Sequence, residues 1–240
     1  MKKLLLASAM LALTAGFASA DVVRLATEGA YPPFNFIDDK GEVAGFEREF
    51  GDEICKRAAL ECTWTTNEWD SIIPNLQSGN YDVIIAGMSI TDERKKVIDF
   101  TQNYYPPAAS AYVAASADAD IKTGVVSAQV STIQAAYVAE SGATLLEFPT
   151  PDETVAAVRN GEAAAVFADK DYLRPFVDES NGELQFVGED VSIGGGVGLG
   201  IRQSDTELKG KLDGAISAMK ADGSLNTLIE KYFGEKGLKF

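Results

Sequence analysis

Val22-Val23-Arg24-Leu25-Ala26, Phe46-Glu47-Arg48-Glu49-Phe50-Gly51-Asp52-Glu53-Ile54-Cys55-Lys56-Arg57-Ala58, Cys62-Thr63-Trp64-Thr65-Thr66, Ser71-Ile72-Ile73-Pro74-Asn75-Leu76-Gln77 and Val83-Ile84-Ile85-Ala86 follow one another in the first third of the chain. The first, third and fifth are short β-rich runs. In the second, Phe46, Phe50, Ile54 and Ala58 recur every fourth residue, the spacing of one helix face, and the fourth carries Ile72, Ile73 and Leu76. Strand, helix, strand, helix, strand is the grammar of an α/β unit whose last strand is buried and parallel. Gly51 inside the helix weakens it by propensity.

Outward from this unit, Thr91 with Asp92 and Glu93 behind it reads as the start of a short helix through Val97. The chain then runs extended through Tyr104-Tyr105-Pro106-Pro107, and the grammar restarts. Residues 111–114 and 124–128 read as strands, 132–140 as a helix, 144–148 as a strand, 152–160 as a helix closed by Gly161, and 164–168 as a strand. After Gly194-Gly195-Gly196 a second extended crossing, 197–201, leads to two helices. These carry Leu208, Leu212, Ile216 and Met219, then Leu225, Leu228, Ile229 and Tyr232. Crossings near 106–112 and 195–201 imply two α/β lobes, with the last helices returning to the first. The triple glycine lacks the flanking pattern of a phosphate loop.

Composition narrows the chemistry. The 240 residues carry a formal charge of −15 and no histidine. Absent histidine excludes Ser-His-Asp and Cys-His catalysis and the commonest transition-metal ligand; no cofactor and no metal are expected. The acidic balance speaks against nucleic acid and for a soluble monomer. Lys2 and Lys3, an apolar run from Leu4 to Phe17 and Ala18-Ser19-Ala20 form a secretory signal peptide, residues 1–20, cleaved after Ala20; the run is short for a membrane anchor. Its loss takes two lysines and leaves a charge of −17. Cys55 and Cys62 lie too far apart for a Cys-x-x-Cys redox pair. In an exported chain they suit a short structural disulfide contributing roughly 2–3 kcal/mol, the alternative being two free thiols.

Ligands of open α/β units gather where strands end. After the first strand, Glu28 could hold a cation and Tyr31 could stack on it, on a loop stiffened by Pro32 and Pro33. After the strand ending at Ala86 come Gly87, Met88 and Ser89 and then Arg94, whose guanidinium can grip a carboxylate through two parallel hydrogen bonds. In the second lobe, Thr132 and the free amides behind it suit an anion, and Asp169 could meet an ammonium group. Individually these are a surface arginine, a loop acid and a helix cap. Together they form a receptor for a basic amino acid.

The runs Ala26-Thr27-Glu28-Gly29-Ala30-Tyr31-Pro32-Pro33-Phe34, Gly45-Phe46-Glu47, Ser89-Ile90-Thr91-Asp92-Glu93-Arg94 and Ala221-Asp222-Gly223-Ser224 through Lys231-Tyr232-Phe233 resemble the bacterial periplasmic polar-amino-acid-binding proteins of ABC importers. The resemblance covers essentially the whole mature chain. It implies a type II periplasmic-binding-protein fold: two α/β lobes, 21–107 with 196–240 and 108–195, joined by a two-strand hinge around a ligand cleft. It implies a Cys55–Cys62 disulfide in the first lobe, and an ABC transporter permease as partner. It places Arg94, Ser89 and the Gly87 backbone at the ligand carboxylate, with Thr132 approaching from the second lobe and Asp169 on the α-amine. Tyr31 and Trp69 would sandwich the side chain, and Glu28 would hold its cation. Glu rather than Asp at that position looks like the arginine-type and opine-type members.

Three positions depart from the family: Ala86 for serine, Ser131 for glycine, and Ile133 for a small polar residue. The expected ligand is arginine-, lysine- or ornithine-like, with opines, histidine and glutamine as alternatives. Acidic amino acids are disfavoured by Glu28. A dehydratase on the same fold, using Glu28 or Asp169 as acid, is the reading from another class, and a sensor rather than a transporter is the alternative partner.

Overall fold

The computed structural model describes residues 22–235 and 237–240, so the expected signal peptide lies outside the described residues. Strand β1 (Val23–Thr27) leads through a small antiparallel sheet of β2 (Ala30–Tyr31), β3 (Asn35–Ile37) and β4 (Val43–Ala44) into helix α1 (Phe46–Arg57). Next come β5 (Cys62–Thr66), a 3₁₀ turn (Trp69–Ser71), α2 (Ile72–Gln77), β6 (Val83–Ile84), α3 (Asp92–Lys95) and β7 (Asp99–Tyr105). The chain crosses into β8 (Ala109–Ala114), then β9 (Val125–Gln129), α4 (Ile133–Ser141), β10 (Thr144–Phe148), α5 (Pro151–Arg159), β11 (Ala165–Asp169), α6 (Lys170–Glu179) and β12 (Gln185–Ser192). It returns through β13 (Val197–Ile201) to α7 (Thr206–Ala221) and α8 (Ser224–Phe233).

Two five-stranded sheets result, ordered β5-β1-β6-β13-β7 and β10-β9-β11-β8-β12. In each sheet four strands run one way and one runs against them: β13, between β6 and β7, in the first, and β8, between β11 and β12, in the second. The connections β7 to β8 and β12 to β13 are the two crossings between the sheets. The fold is thus a two-lobed type II periplasmic-binding-protein fold.

The periodicity of α1 is realised as burial: Phe46, Phe50 and Ile54 are fully buried, together with Leu212, Ile216, Leu225 and Ile229 of α7 and α8. Each such side chain contributes roughly 1.5–3 kcal/mol relative to exposure, which is why the C-terminal helices sit on the first sheet. Gly51 is there for fit. A Cβ at this position would lie 2.6 Å from the Trp64 ring, so the helix gives up propensity for close contact with β5. The disulfide joins Cys55 in the last turn of α1 to Cys62 at the start of β5.

Several elements differ from the sequence reading. The strand expected over 83–86 pairs only at Val83 and Ile84, because the chain turns out of the sheet at Ala86 and Gly87, where Gly87 takes φ +62. The sequence shows no element between Asp169 and Gly194; the structure folds α6 and β12 there. Pro175 interrupts α6 as a sequence pattern, yet Tyr172 and Leu173 are fully buried against the second sheet. The three strands β2 to β4 are two or three residues long, too short for alternation to register.

Candidate functional site

The strand ends β1, β6, β9 and β11 meet in one narrow cleft. All nine residues singled out from the sequence line it: Glu28, Tyr31, Trp69, Ala86, Gly87, Ser89, Arg94, Thr132 and Asp169. Gln129, Ile133 and Gln134 complete the lining.

Arg94 is carried by α3, where Thr91 caps the helix by accepting the Arg94 N–H at 3.2 Å. Its Nη1 donates to the Ser89 carbonyl at 2.9 Å and its Nη2 to the Ser131 carbonyl at 3.4 Å. The guanidinium carbon stands 5.3 Å from the centre of the Trp69 ring. Burial pushes its pKa down to about 10, against the pull of Asp169, so the side chain remains cationic. Ser131 adopts φ +60. That left-handed conformation explains why glycine is at home in this turn.

Asp169 ends β11. Its two oxygens accept from the Tyr31 hydroxyl at 2.9 Å and from Gln134 Nε2 at 2.9 Å. Burial lifts its pKa to about 6, the Tyr31 bond opposing and the charge of Asp171 adding to the rise. Tyr31 lies flat against Tyr172, with ring centres 4.2 Å apart and planes 8° from parallel, and Tyr172 donates to Asp152 at 3.0 Å.

Glu28 follows β1 and is met from the other lobe by Gln129, whose Nε2 donates to Glu28 Oε1 at 2.6 Å and to the Pro149 carbonyl at 3.1 Å. Burial raises Glu28 to about 7; Gln129 opposes this, while the carboxylates of Asp152 and Glu47 add to it. The cleft therefore has a cationic end at Arg94 and two carboxylates, Asp169 and Glu28, of which Glu28 is the more reluctant to ionise.

Two of the residues expected at the ligand carboxylate also bond within the protein. The Thr132 hydroxyl caps α4, donating to the Gln129 carbonyl at 2.6 Å and accepting from Ala135 N–H at 3.1 Å. The Gly87 N–H is bound to Glu47 at 2.6 Å. Both residues line the cleft beside these internal bonds.

The reading from sequence did not assign Gln129, Gln134 or Tyr172. Gln129 stands at a strand end, the same signal that drew attention to Glu28 and Asp169. Tyr172 lies in the unread α6. Among the described residues no group of three or more His, Cys, Asp or Glu side chains is arranged to hold a metal ion. No helix among them is long and apolar enough to cross a membrane.

Comparison with known proteins gives a consistent picture. Residues 23–235 match the family described as bacterial extracellular solute-binding proteins, family 3. The ABC transporter arginine-binding protein 1 of Escherichia coli is 31% identical over 97% of this chain and 99% of its own length. The L-arginine-binding protein of Pseudomonas aeruginosa is 34% identical over 90% of each. A periplasmic His/Glu/Gln/Arg/opine family-binding protein from Silicibacter pomeroyi, solved in complex with lysine, is 69% identical and superposes with a TM-score of 0.90. That match covers 91% of this chain and 100% of the other.

Proposed function

The chain belongs to family 3 of the bacterial extracellular solute-binding proteins, and from that premise we propose that it captures a basic amino acid, lysine or arginine, between its lobes for delivery to an ABC transporter permease. The observation that carries this reading is the set of charges lining one cleft: Arg94 with Asp169 near enough to act on it, and Glu28 held by Gln129. Arg94 takes the α-carboxylate as a planar fork. Asp169 takes the α-ammonium. The side chain runs past Trp69 and Tyr31, and its cation meets Glu28. A ligand ammonium favours the ionised form of each carboxylate, so binding draws protons off groups that burial had made reluctant to lose them.

The lobes are residues 21–107 with 196–240 and residues 108–195. The connections 106–108 and 193–196 are the hinge, and the closed surface is what the permease reads. The family is described as solute-binding proteins and the Escherichia coli relative as an ABC transporter arginine-binding protein, and capture requires no covalent step. The protein acts as a monomer, exported by residues 1–20 with cleavage after Ala20.

Equilibrium dialysis of the unfolded and refolded mature protein with labelled lysine, in competition with arginine, ornithine, histidine, glutamine, glutamate and an opine, tests the reading. One lysine bound per chain, displaced by arginine or ornithine and not by glutamate, supports it. Displacement by glutamate ahead of arginine refutes it.

A further inference from the structure

Glu47 is a completely buried carboxylate of the first lobe that makes none of the ligand contacts assigned to the cleft. It sits in the first turn of α1, with no solvent exposure. Its Oε2 accepts from Asn35 Nδ2 at 2.7 Å, and Asn35 Oδ1 in turn accepts the Gly29 N–H at 2.7 Å. Its Oε1 accepts the Gly87 N–H at 2.6 Å and the Tyr104 hydroxyl. One carboxylate thus ties together the turn after β1, which carries Glu28, and the turn after β6, which carries Ala86 and Gly87 at the cleft wall.

The chain of bonds has a direction. Gly29 N–H can only donate, so the Asn35 amide must present its oxygen there and its nitrogen to Glu47. Three donors then converge on Glu47, which must accept all of them. In the trans peptide joining Ala86 to Gly87, the Ala86 carbonyl points opposite to the N–H that Glu47 holds. Fixing one fixes the other.

We propose that Glu47 is a positioning residue for ligand capture: it pre-sets the two strand-end turns of the first lobe, so that Glu28 and the peptide between Ala86 and Gly87 are in place before the second lobe closes. This rests on the amino-acid-binding reading above. Pre-organisation of this kind raises affinity by removing the ordering cost from the binding step, and it acts on every ligand regardless of side chain.

Glu47→Gln breaks the polarity of the chain, because the amide nitrogen must face a donor on either side, Asn35 Nδ2 or the Gly87 N–H. Turning the Asn35 amide to match only moves the clash to Gly29 N–H. The double variant Asn35→Asp/Glu47→Gln restores it. The carboxylate introduced at position 35 accepts both from the Gly29 N–H and from the amide nitrogen introduced at position 47. The amide oxygen at position 47 then accepts from the Gly87 N–H and the Tyr104 hydroxyl.

The test is calorimetric titration of lysine and of arginine into wild type, Glu47→Gln, the double variant, and Ile229→Ala. The last is a core truncation in α8 away from the cleft, used to match the loss of Tm. Glu47→Gln is expected to raise both dissociation constants at least about tenfold, Ile229→Ala to leave them within about twofold, and the double variant to return within about threefold of wild type. A folded Glu47→Gln protein with unchanged affinity overturns the inference. So does an equal loss in Ile229→Ala, or a double variant that recovers nothing. If Glu47→Gln does not fold, the double variant against wild type decides by the same threefold and tenfold limits. A wild-type protein that binds neither ligand overturns the functional reading itself and this inference with it.

Discussion

Replacing Glu28 by Gln is the perturbation from which the role of charge in the cleft is read most clearly. Gln129 donates to Glu28 Oε1 at 2.6 Å, and in Glu28→Gln that donor holds the new carbonyl oxygen. The amide NH₂ is then left facing the ligand. A cationic side chain loses its counter-charge and meets a donor instead of an acceptor. Breaking a buried, hydrogen-bonded charge pair from one side costs about 2–5 kcal/mol; a value of about 2–4 kcal/mol corresponds to a lysine affinity roughly 30- to 1000-fold weaker. Glutamine, which brings no side-chain charge, should change by less than about threefold. Calorimetric titrations of both ligands into both proteins at pH 8, where Glu28 with its pKa of about 7 is mostly ionised, give the two ratios. If lysine and glutamine weaken by the same factor, or lysine by less than about threefold, Glu28 does not read the side-chain charge and the argument fails.

Other predictions rest on the same geometry. The chain has no histidine, so between pH 8 and 5.5 the raised carboxylates dominate side-chain titration. With Glu28 at about 7 and Asp169 at about 6, protonation removes the acceptor for the ligand cation, and lysine affinity should fall by roughly 30-fold over that range from Glu28 alone. The profile should flatten in Glu28→Gln. Because the folded pKa of Glu28 lies above its ordinary value of 4.5, the folded state takes up the proton first. The Tm of the ligand-free protein should therefore rise as pH falls from 8 through 7, measured by calorimetric scanning. Arg94→Ala should abolish detectable binding of every α-amino acid, whatever its side chain, in the same titrations. Replacing Cys55 and Cys62 by serine reopens a seven-residue separation and should lower stability by about 2–3 kcal/mol in denaturant unfolding, leaving lysine affinity unchanged. Gly51→Ala improves helix propensity by about 1 kcal/mol but places a Cβ 2.6 Å from Trp64. The clash should win and the variant should unfold at lower temperature.

What the sequence reveals and what it hides divide along physical lines. Helix α1 is legible because three of the residues that set its period, Phe46, Phe50 and Ile54, are fully buried in the core. Arg94 is legible because Thr91 and the acids behind it announce a helix start, and a helix start after a strand marks a cleft. Helix α6 is hidden because Pro175 breaks the propensity pattern that burial of Tyr172 and Leu173 overrides. Gly51 looks like a weakness until the Trp64 ring is seen against it. The Glu28–Gln129 and Tyr31–Asp169 bonds join residues 101 and 138 positions apart; only the folded chain brings such partners together. Thr132 shows the limit in the other direction: a hydroxyl that suits an anion equally suits a helix cap, and the structure uses it as the cap.

The central claim is that the cleft recognises a side-chain cation, and lysine and norleucine differ in little but that ammonium group. Calorimetric titration of both into the refolded mature protein at pH 8 tests it most directly. The account predicts one lysine per chain, bound at least about tenfold more tightly than norleucine; equal binding of the two, or tighter binding of norleucine, contradicts it.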